Sequence, residues 1–317
     1  MDNIKILLLC SSRFALPTLQ QFVFFDQLAA VAVPRYCDEW IDNLQVLLKG
    51  TGIPVVELEK ESFEEEICAV IEQYKINLGL VVTFPYKIPA AVYELPEKGF
   101  FNVHPGPLPQ YRGPDPVFRQ MVNREKFAGI SLHKLDEKMD TGPLVLGENI
   151  KLEPSDTYGL LNNKLAMLAA KLTATLVKLI SLGIGIPSRP QDESKARYFR
   201  KQTAADVMIN WQTMDADTVI ALINACNPWN KGAVISFNNQ VFRLLCAEKL
   251  PGHSWGTQEP GTILSIDEKA IIVSTFSNNI STSENEAICV QFIYIDEGYF
   301  PAGSLQHMGI VVGDRFG

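Results

Sequence analysis

Four near-continuous apolar runs recur in the first 82 residues, at 4–10, 28–33, 54–58 and 78–82. The stretches between them, 14–24, 40–49 and 63–74, carry a helical period; in the last, Ile67, Val70 and Ile71 share one face. A strand that is apolar at nearly every position is covered on both sides. This alternation therefore predicts a parallel sheet with helices packed on each face. Such a sheet presents its site beyond the carboxyl ends of its strands.

The pattern continues with a strand or strand end at 101–104, a helix at 114–123 and a strand at 129–135. A long helix rich in Leu, Ala and Lys follows at 157–182 and stops at Gly183, Gly185 and Pro187. Residues 188–203 are polar, basic and without period, and read as a linker over the surface. After a short helix at 218–224 the character changes. Brief β-rich runs at 234–237, 241–245, 261–264, 270–275 and 288–295 suggest a small antiparallel barrel. A length of 317 residues accommodates two such cores. The expected organisation is a first domain over 1–187, a linker over 188–206 and a second domain over 207–317.

Charge is unevenly spread. The net charge is −8, and residues 207–317 hold five Lys/Arg against eleven Asp/Glu, so they carry −6 of it. A phosphate backbone is repelled by such a surface, whereas nucleic-acid readers show a basic face. The six cysteines form no CxxC, the nearest two being 20 residues apart, and most lie in apolar runs. Reduced buried thiols fit a cytoplasmic protein. The apolar run at 6–10 is too short for a signal-peptide core, and no run reaches membrane-spanning length.

The chemistry concentrates after the fifth strand. Asn102 and His104 are two apart on extended backbone, so both side chains project from one face. A Pro/Gly-rich loop follows, through Tyr111, Arg112 and Gly113. An amide donor beside an imidazole can cradle a developing oxyanion and handle a proton. Further along, Asp140 precedes Gly142-Pro143, where a carboxylate can fix the tautomer of a nearby imidazole or hold a water.

These residues resemble the formyltetrahydrofolate-dependent formyltransferases. The family pattern Asn-x-His-x-x-x-Leu-Pro-x-Tyr-Arg-Gly, with Asp-x-Gly beyond it, reads here as Asn102, His104, Leu108-Pro109, Tyr111-Arg112-Gly113 and Asp140-x-Gly142. The likeness continues through residues 194–199, Ile209-Asn-Trp211, Asn227-Pro-Trp229, Gly232-Ala233, Pro260-Gly-Thr-Ile and Gly313-Asp-Arg, nearly the whole chain. It covers the methionyl-tRNA enzymes and those acting on amino sugar nucleotides or hydroxyornithine. The resemblance implies a Rossmann-like α/β catalytic domain followed by an OB-like β-barrel, and 10-formyltetrahydrofolate as cosubstrate without metal. It implies Asn102, His104 and Asp140 as catalytic. It sets Phe84, Tyr86, Ile88, Asp136, Lys138 and Gly142 along the folate slot, and Tyr111, Arg112, Gly113 and Asp115 toward the acceptor. It further implies that an amine attacks the formyl carbon while Asn102 and His104 stabilise the oxyanion, a donor worth about 3–4 kcal/mol. His104, oriented by Asp140 directly or through water, would help to pass a proton from the amine to the leaving folate nitrogen.

Four positions depart from the pattern. Gly106 stands for the usual Ser, Asp115 for a small residue, Arg119 for a frequent Trp, and Asn123-Arg124-Glu125 for Asn-Gly-Glu. Asp115 and Arg119 add charge on the expected acceptor side. The tRNA enzymes usually carry a basic glycine-containing loop after the second strand, whereas residues 34–42 here are net acidic and lack glycine. The expected acceptor is thus a small-molecule amine, a nucleotide-linked amino sugar narrowly ahead of a hydroxyornithine-like amine, with methionyl-tRNA the disfavoured alternative, no membrane, and a homodimer left open.

Plainer readings stand beside these. Asp140 alone could cap a turn, and only His133 could join it on a metal. His133 reads equally as a satisfied strand residue or an acceptor contact. His253 and His307 carry no motif. Tyr111 and Arg112 could be loop packing, Trp211 and Trp229 core anchors, and the basic linker a solvated surface. A nicotinamide dehydrogenase lacks its GxGxxG, because the first turn is Ser11-Ser12-Arg13. A formylfolate hydrolase would use the same site with water in place of the amine. A nucleic-acid-reading barrel would carry the opposite charge.

Overall fold

A computed structural model describes residues 4–250, 258–277, 286–296 and 298–317; His253 lies outside the described residues. The chain divides into two compact units. The first holds residues 1–116, 127–150 and 162–200; the second holds 117–126, 151–161 and 201–317.

The first unit is built on β1 (Ile6–Cys10), α1 (Leu16–Phe24), β2 (Leu28–Pro34), α2 (Asp38–Leu47), β3 (Val55–Leu58), α3 (Phe63–Gln73), β4 (Leu78–Val82), α4 (Ala90–Tyr93) and β5 (Phe100–His104). After α5 (Pro116–Val122) come β6 (Phe127–Lys134), β7 (Leu144–Lys151) and the long α6 (Tyr158–Ser181). The seven strands lie in the order β3-β2-β1-β4-β5-β6-β7. From β3 to β5 the pairs are parallel, and β6 runs antiparallel to β5. Every residue of β1 and β4 is buried, as continuously apolar parallel strands must be. Phe100 lies over Gly79 on the neighbouring strand, where a Cβ would meet its ring at 2.4 Å.

The second unit contains α7 (Ala216–Ala225), β8 (Ala233–Phe237), β9 (Gln240–Lys249), β10 (Ile263–Ile266), β11 (Ile271–Thr275), β12 (Glu286–Ile295) and β13 (Gly298–Pro301). Its strands form one antiparallel sheet, β10-β11-β12-β9-β8, with β13 on β12. Asp215 caps α7 by accepting from the Thr218 amide at 2.8 Å. Trp211 is buried against Phe316, as expected of an anchor. Trp229 differs: it is 43% exposed, edge-on to Phe118, with its indole N–H donating to the Ala225 carbonyl at 2.7 Å.

Three features depart from the sequence expectations. β7 had no place in them, because beyond the buried Val145 its residues alternate between half-buried and exposed as an edge strand does. Residues 188–200 are not a free linker but part of the first unit: Arg189 exchanges backbone hydrogen bonds with Leu144, and Arg197 and Phe199 with residues 109–112. Segments 117–126 and 151–161 group with the second unit, so the chain passes between units more than once.

Candidate active site

The polar centre is a product of strand register. Where β5 pairs with β6, Asn102 lies opposite His133 and His104 opposite Ser131. Directly opposed residues share a face, with Cβ atoms about 5 Å apart. Four polar side chains therefore form a square on one face of two strands that are otherwise apolar up to Lys134 at the end of β6. The Asn102 amide nitrogen lies 3.1 Å from His133 Nε2. Ser131 Oγ accepts from the Leu108 amide at 3.0 Å and donates to the Gly106 carbonyl at 2.9 Å, fastening the loop that leaves β5.

Asp140 enters from the loop after β6. Its backbone is left-handed, φ 60°, a region that is uncommon for a residue with a Cβ though Asp tolerates it better than most, and it is held there by its surroundings. The constraint is visible. Gln191 Nε2 donates to the carbonyls of Asp140 and Gly142, each at 2.8 Å. The buried carboxylate takes the Gly113 amide at 2.9 Å through Oδ2. Its Oδ1 lies 3.5 Å from His104 Nδ1 and 3.9 Å from His133 Nε2. His104 is buried, and its Nε2 donates to the Tyr111 carbonyl at 2.6 Å. The amide, two imidazoles and a carboxylate thus converge.

His133 is 1% exposed. Burial lowers its pKa from 6.5 to about 4, against the opposing pull of the Asp140 charge. It is neutral near pH 7. Its Nδ1 faces the Lys134 carbonyl at 2.8 Å, so the proton sits on Nδ1 and Nε2 is an acceptor.

Arg112 is 3% exposed and held by its own chain. It donates to Gln191 at 2.9 and 3.2 Å and to Glu193 at 2.5 and 2.9 Å. Tyr111 is buried and stacked on Phe199 at 5.2 Å. Gly113 adopts φ 97°, and a Cβ there would meet the Phe199 carbonyl oxygen at 2.2 Å. A Cβ on Gly142 would meet the Lys134 oxygen at 1.8 Å, and one on Gly106 would lie 2.7 Å from Pro116 Cβ. The side chains of Tyr111 and Arg112 thus act as clamps on the loop. Asp115, half-buried at φ 53°, continues that loop.

The expected folate residues lie on two neighbouring loops. Phe84 and Tyr86 form an aromatic cluster with Phe63, with centroids 5.2–5.8 Å apart. The loop is anchored where it leaves β4: the Ser11 hydroxyl donates to the carbonyl of Thr83, at φ 57°, and the Ser12 and Thr83 hydroxyls share a hydrogen bond at 2.8 Å. Ile88 and Lys138 both border a crevice of about 740 Å³, with Phe63 and Tyr93 on its wall and Lys60 and Lys87 among its charged residues. Asp136 does not border it; its carboxylate takes the Lys138 amide at 3.2 Å and the Thr141 hydroxyl at 2.7 Å, shaping the turn. Among the described residues no group of three or more His, Cys, Asp or Glu could hold a metal ion, and no helix is long and apolar enough to cross a membrane.

Sequence reasoning missed Ser131 and Gln191 and left His133 undecided. The signal for the β6 pair was the polar alternation Ser131-Leu132-His133, the counterpart of Asn102-Val103-His104. Nothing in the sequence around Gln191 marks it.

Two family descriptions match the chain: "Formyl transferase" over residues 38–177 and "Formyl transferase, C-terminal domain" over 201–287. The methionyl-tRNA formyltransferase of Dictyoglomus thermophilum is 34% identical over 229 residues, 72% of this chain and 72% of that protein. The Pelotomaculum thermopropionicum protein of the same name is 27% identical over 317 residues, covering 98% and 99%. Among solved structures, the sugar 3N-formyltransferase WlaRD, crystallised with dTDP and 5-N-formyl-THF, superposes with a TM-score of 0.67 at 18% identity over 92% of this chain and 98% of that one. The Helicobacter canadensis N-formyltransferase, in complex with folinic acid and dTDP-3-aminofucose, superposes with a TM-score of 0.67 at 17% identity over 91% and 99%.

Proposed function

Because the chain belongs to the formyl transferase family, we propose that it transfers the formyl group of 10-formyltetrahydrofolate to the primary amine of a small molecule, a nucleotide-linked amino sugar. The observation that carries the chemistry is the convergence of Asn102, His104 and Asp140. The cosubstrate supplies an activated carbonyl and a nitrogen leaving group. Asn102 donates to the carbonyl oxygen as charge develops there. His104, with the Asp140 carboxylate beside Nδ1, relays a proton. A bond forms between the amine nitrogen and the formyl carbon, the bond from that carbon to the folate nitrogen breaks, and the amine proton ends on the folate nitrogen. The crevice supports this reading through its aromatic and aliphatic wall, which suits a flat heterocycle; its charge is balanced, Lys60, Lys87 and Lys138 standing beside Glu61, Glu64 and Glu137.

The turn after β2 supports a small acceptor. Only residues 35–37 join β2 to α2, and Arg35, the one cation there, pairs with Glu59 at 2.6 Å and Glu57 at 3.6 Å. No basic arm projects from it. Methionyl-tRNA is the second reading, favoured by the names of the sequence relatives.

The test incubates the protein with 10-formyltetrahydrofolate and a panel of 4-amino sugar nucleotides, hydroxyornithine and methionyl-tRNA, and reads the gain of one carbonyl by mass spectrometry. The sugar nucleotides should gain it. Modification of methionyl-tRNA alone overturns the acceptor, and formate release without any amine points to a hydrolase. Asn102→Ala and His104→Ala should each lower turnover by about 100-fold or more; near-normal rates in both remove the mechanism.

A further inference from the structure

We infer that His133 is a positioning residue for formyl transfer: its Nε2 accepts one N–H of the Asn102 amide and so aims the other at the reacting carbonyl oxygen. The inference rests on the transfer reading above and adds a residue to its machinery.

An asparagine side chain meets its surroundings with two chemically opposite ends. Its terminal torsion is broad and roughly two-fold, so nothing intrinsic chooses between presenting nitrogen or oxygen. An active site that needs a donor must make that choice from outside. Among the described residues, the polar partner of the Asn102 side chain is His133 Nε2, at 3.1 Å. The choice then depends on which His133 nitrogen carries the proton.

Three observations fix it. Nδ1 lies 2.8 Å from the Lys134 carbonyl, which can only accept, so Nδ1 is protonated. Nε2 lies 3.9 Å from Asp140 Oδ1, beyond hydrogen-bond reach, so the carboxylate gives it no reason to hold a second proton. The ring is almost wholly enclosed, which disfavours the cation. Nε2 therefore offers a lone pair. An Asn102 oxygen turned toward it would set two acceptors face to face, whereas the nitrogen makes a bond. The second amide hydrogen, on a half-buried residue, then faces the position of the substrate carbonyl. The β5–β6 register is what places His133 directly opposite Asn102.

Substituting His133 by Leu keeps volume but removes the acceptor; Gln restores an acceptor on a different frame. Thermal unfolding first identifies which variants fold, and His133→Gln serves if His133→Leu does not. For the transfer reaction, His133→Leu should lower kcat about 10- to 100-fold, the loss expected from a misaimed catalytic donor, with acceptor KM unchanged. His133→Gln should recover most of that loss. In an Asn102→Ala background, His133→Leu should add nothing, because the partner through which it acts is gone. Losses that multiply in the double variant, or a rise in KM alone, overturn the inference. Independently, ¹⁵N ring spectra of the wild-type protein at pH 7 should show His133 as the Nδ1–H tautomer, and the Asn102 amide resonances should move in the Gln variant. An Nε2–H tautomer overturns the bond itself. A wild type that transfers no formyl group overturns the function, while the spectra still decide the bond.

Discussion

Asp140 gathers the site because one carboxylate serves three groups. Oδ2 holds the Gly113 amide while Oδ1 stands near both imidazoles. Asp140→Asn keeps the shape and an acceptor for Gly113 but removes the charge. Turnover should fall by about 100-fold or more while the melting temperature moves little; steady-state kinetics beside a thermal melt checks both, and an active Asn variant excludes the charge from the mechanism. His133 gives the residue scale its pH dependence. Its folded pKa of about 4 lies below the usual 6.5. Between those values the unfolded chain binds a proton that the folded chain refuses, so stability rises with pH across that window. The contribution is complete above about pH 6.5 and lost as pH falls toward 4. Asp140, Asp136 and His104 are the charged and titratable groups that bear on it. Urea unfolding at pH 7 and pH 4.5 should show wild type losing more stability on acidification than His133→Gln; equal losses refute the assignment.

At the scale of elements, the decisive piece is the strap of residues 188–200. Gln191 donates to the Asp140 and Gly142 carbonyls and accepts from Arg112, joining the Asp140 turn to the loop after β5. Gln191→Leu leaves two carbonyls and part of a buried guanidinium without partners. The expected loss is about 1–3 kcal/mol by chemical denaturation, accompanied by reduced kcat; unchanged values in both would show that the strap is passive. The same contrast explains what was legible in the sequence. Asn102 and His104 could be placed on one face because a strand repeats every two residues, and β1 and β4 could be placed because both faces are apolar. The β6 residues that complete the square obey the same alternation, but their relation to Asn102 depends on register, which no local pattern prints. The strap was opaque for a different reason: its order comes from backbone pairing to distant loops, which needs no side-chain period. Arg119, expected to charge the acceptor side, pairs with Asp206 at 3.3 Å, both 14% exposed. A motif residue's partner is set by the fold, not by its neighbours in sequence.

For the whole molecule, charge argues about the acceptor. The net charge is −8, and several of the second unit's cations are paired: Arg124 with Asp215 and Asp217, Lys249 with Asp217 and Glu286. A polynucleotide acceptor would have to displace these carboxylates or leave its phosphates unneutralised. Each phosphate that a protein neutralises adds about 0.9 to the downward slope of log affinity against log salt. A nucleotide-linked sugar carries a diphosphate, so the slope for its KM should stay small, near that of about two charges. Measuring KM for the formylated acceptor between about 50 and 200 mM salt tests this, because an acceptor gripped through six or more phosphates would lose roughly a thousandfold over that range. A shallow slope fits the small acceptor and the paired cations. A steep one means that a basic surface forms only in the complex, and it returns the acceptor to the tRNA class.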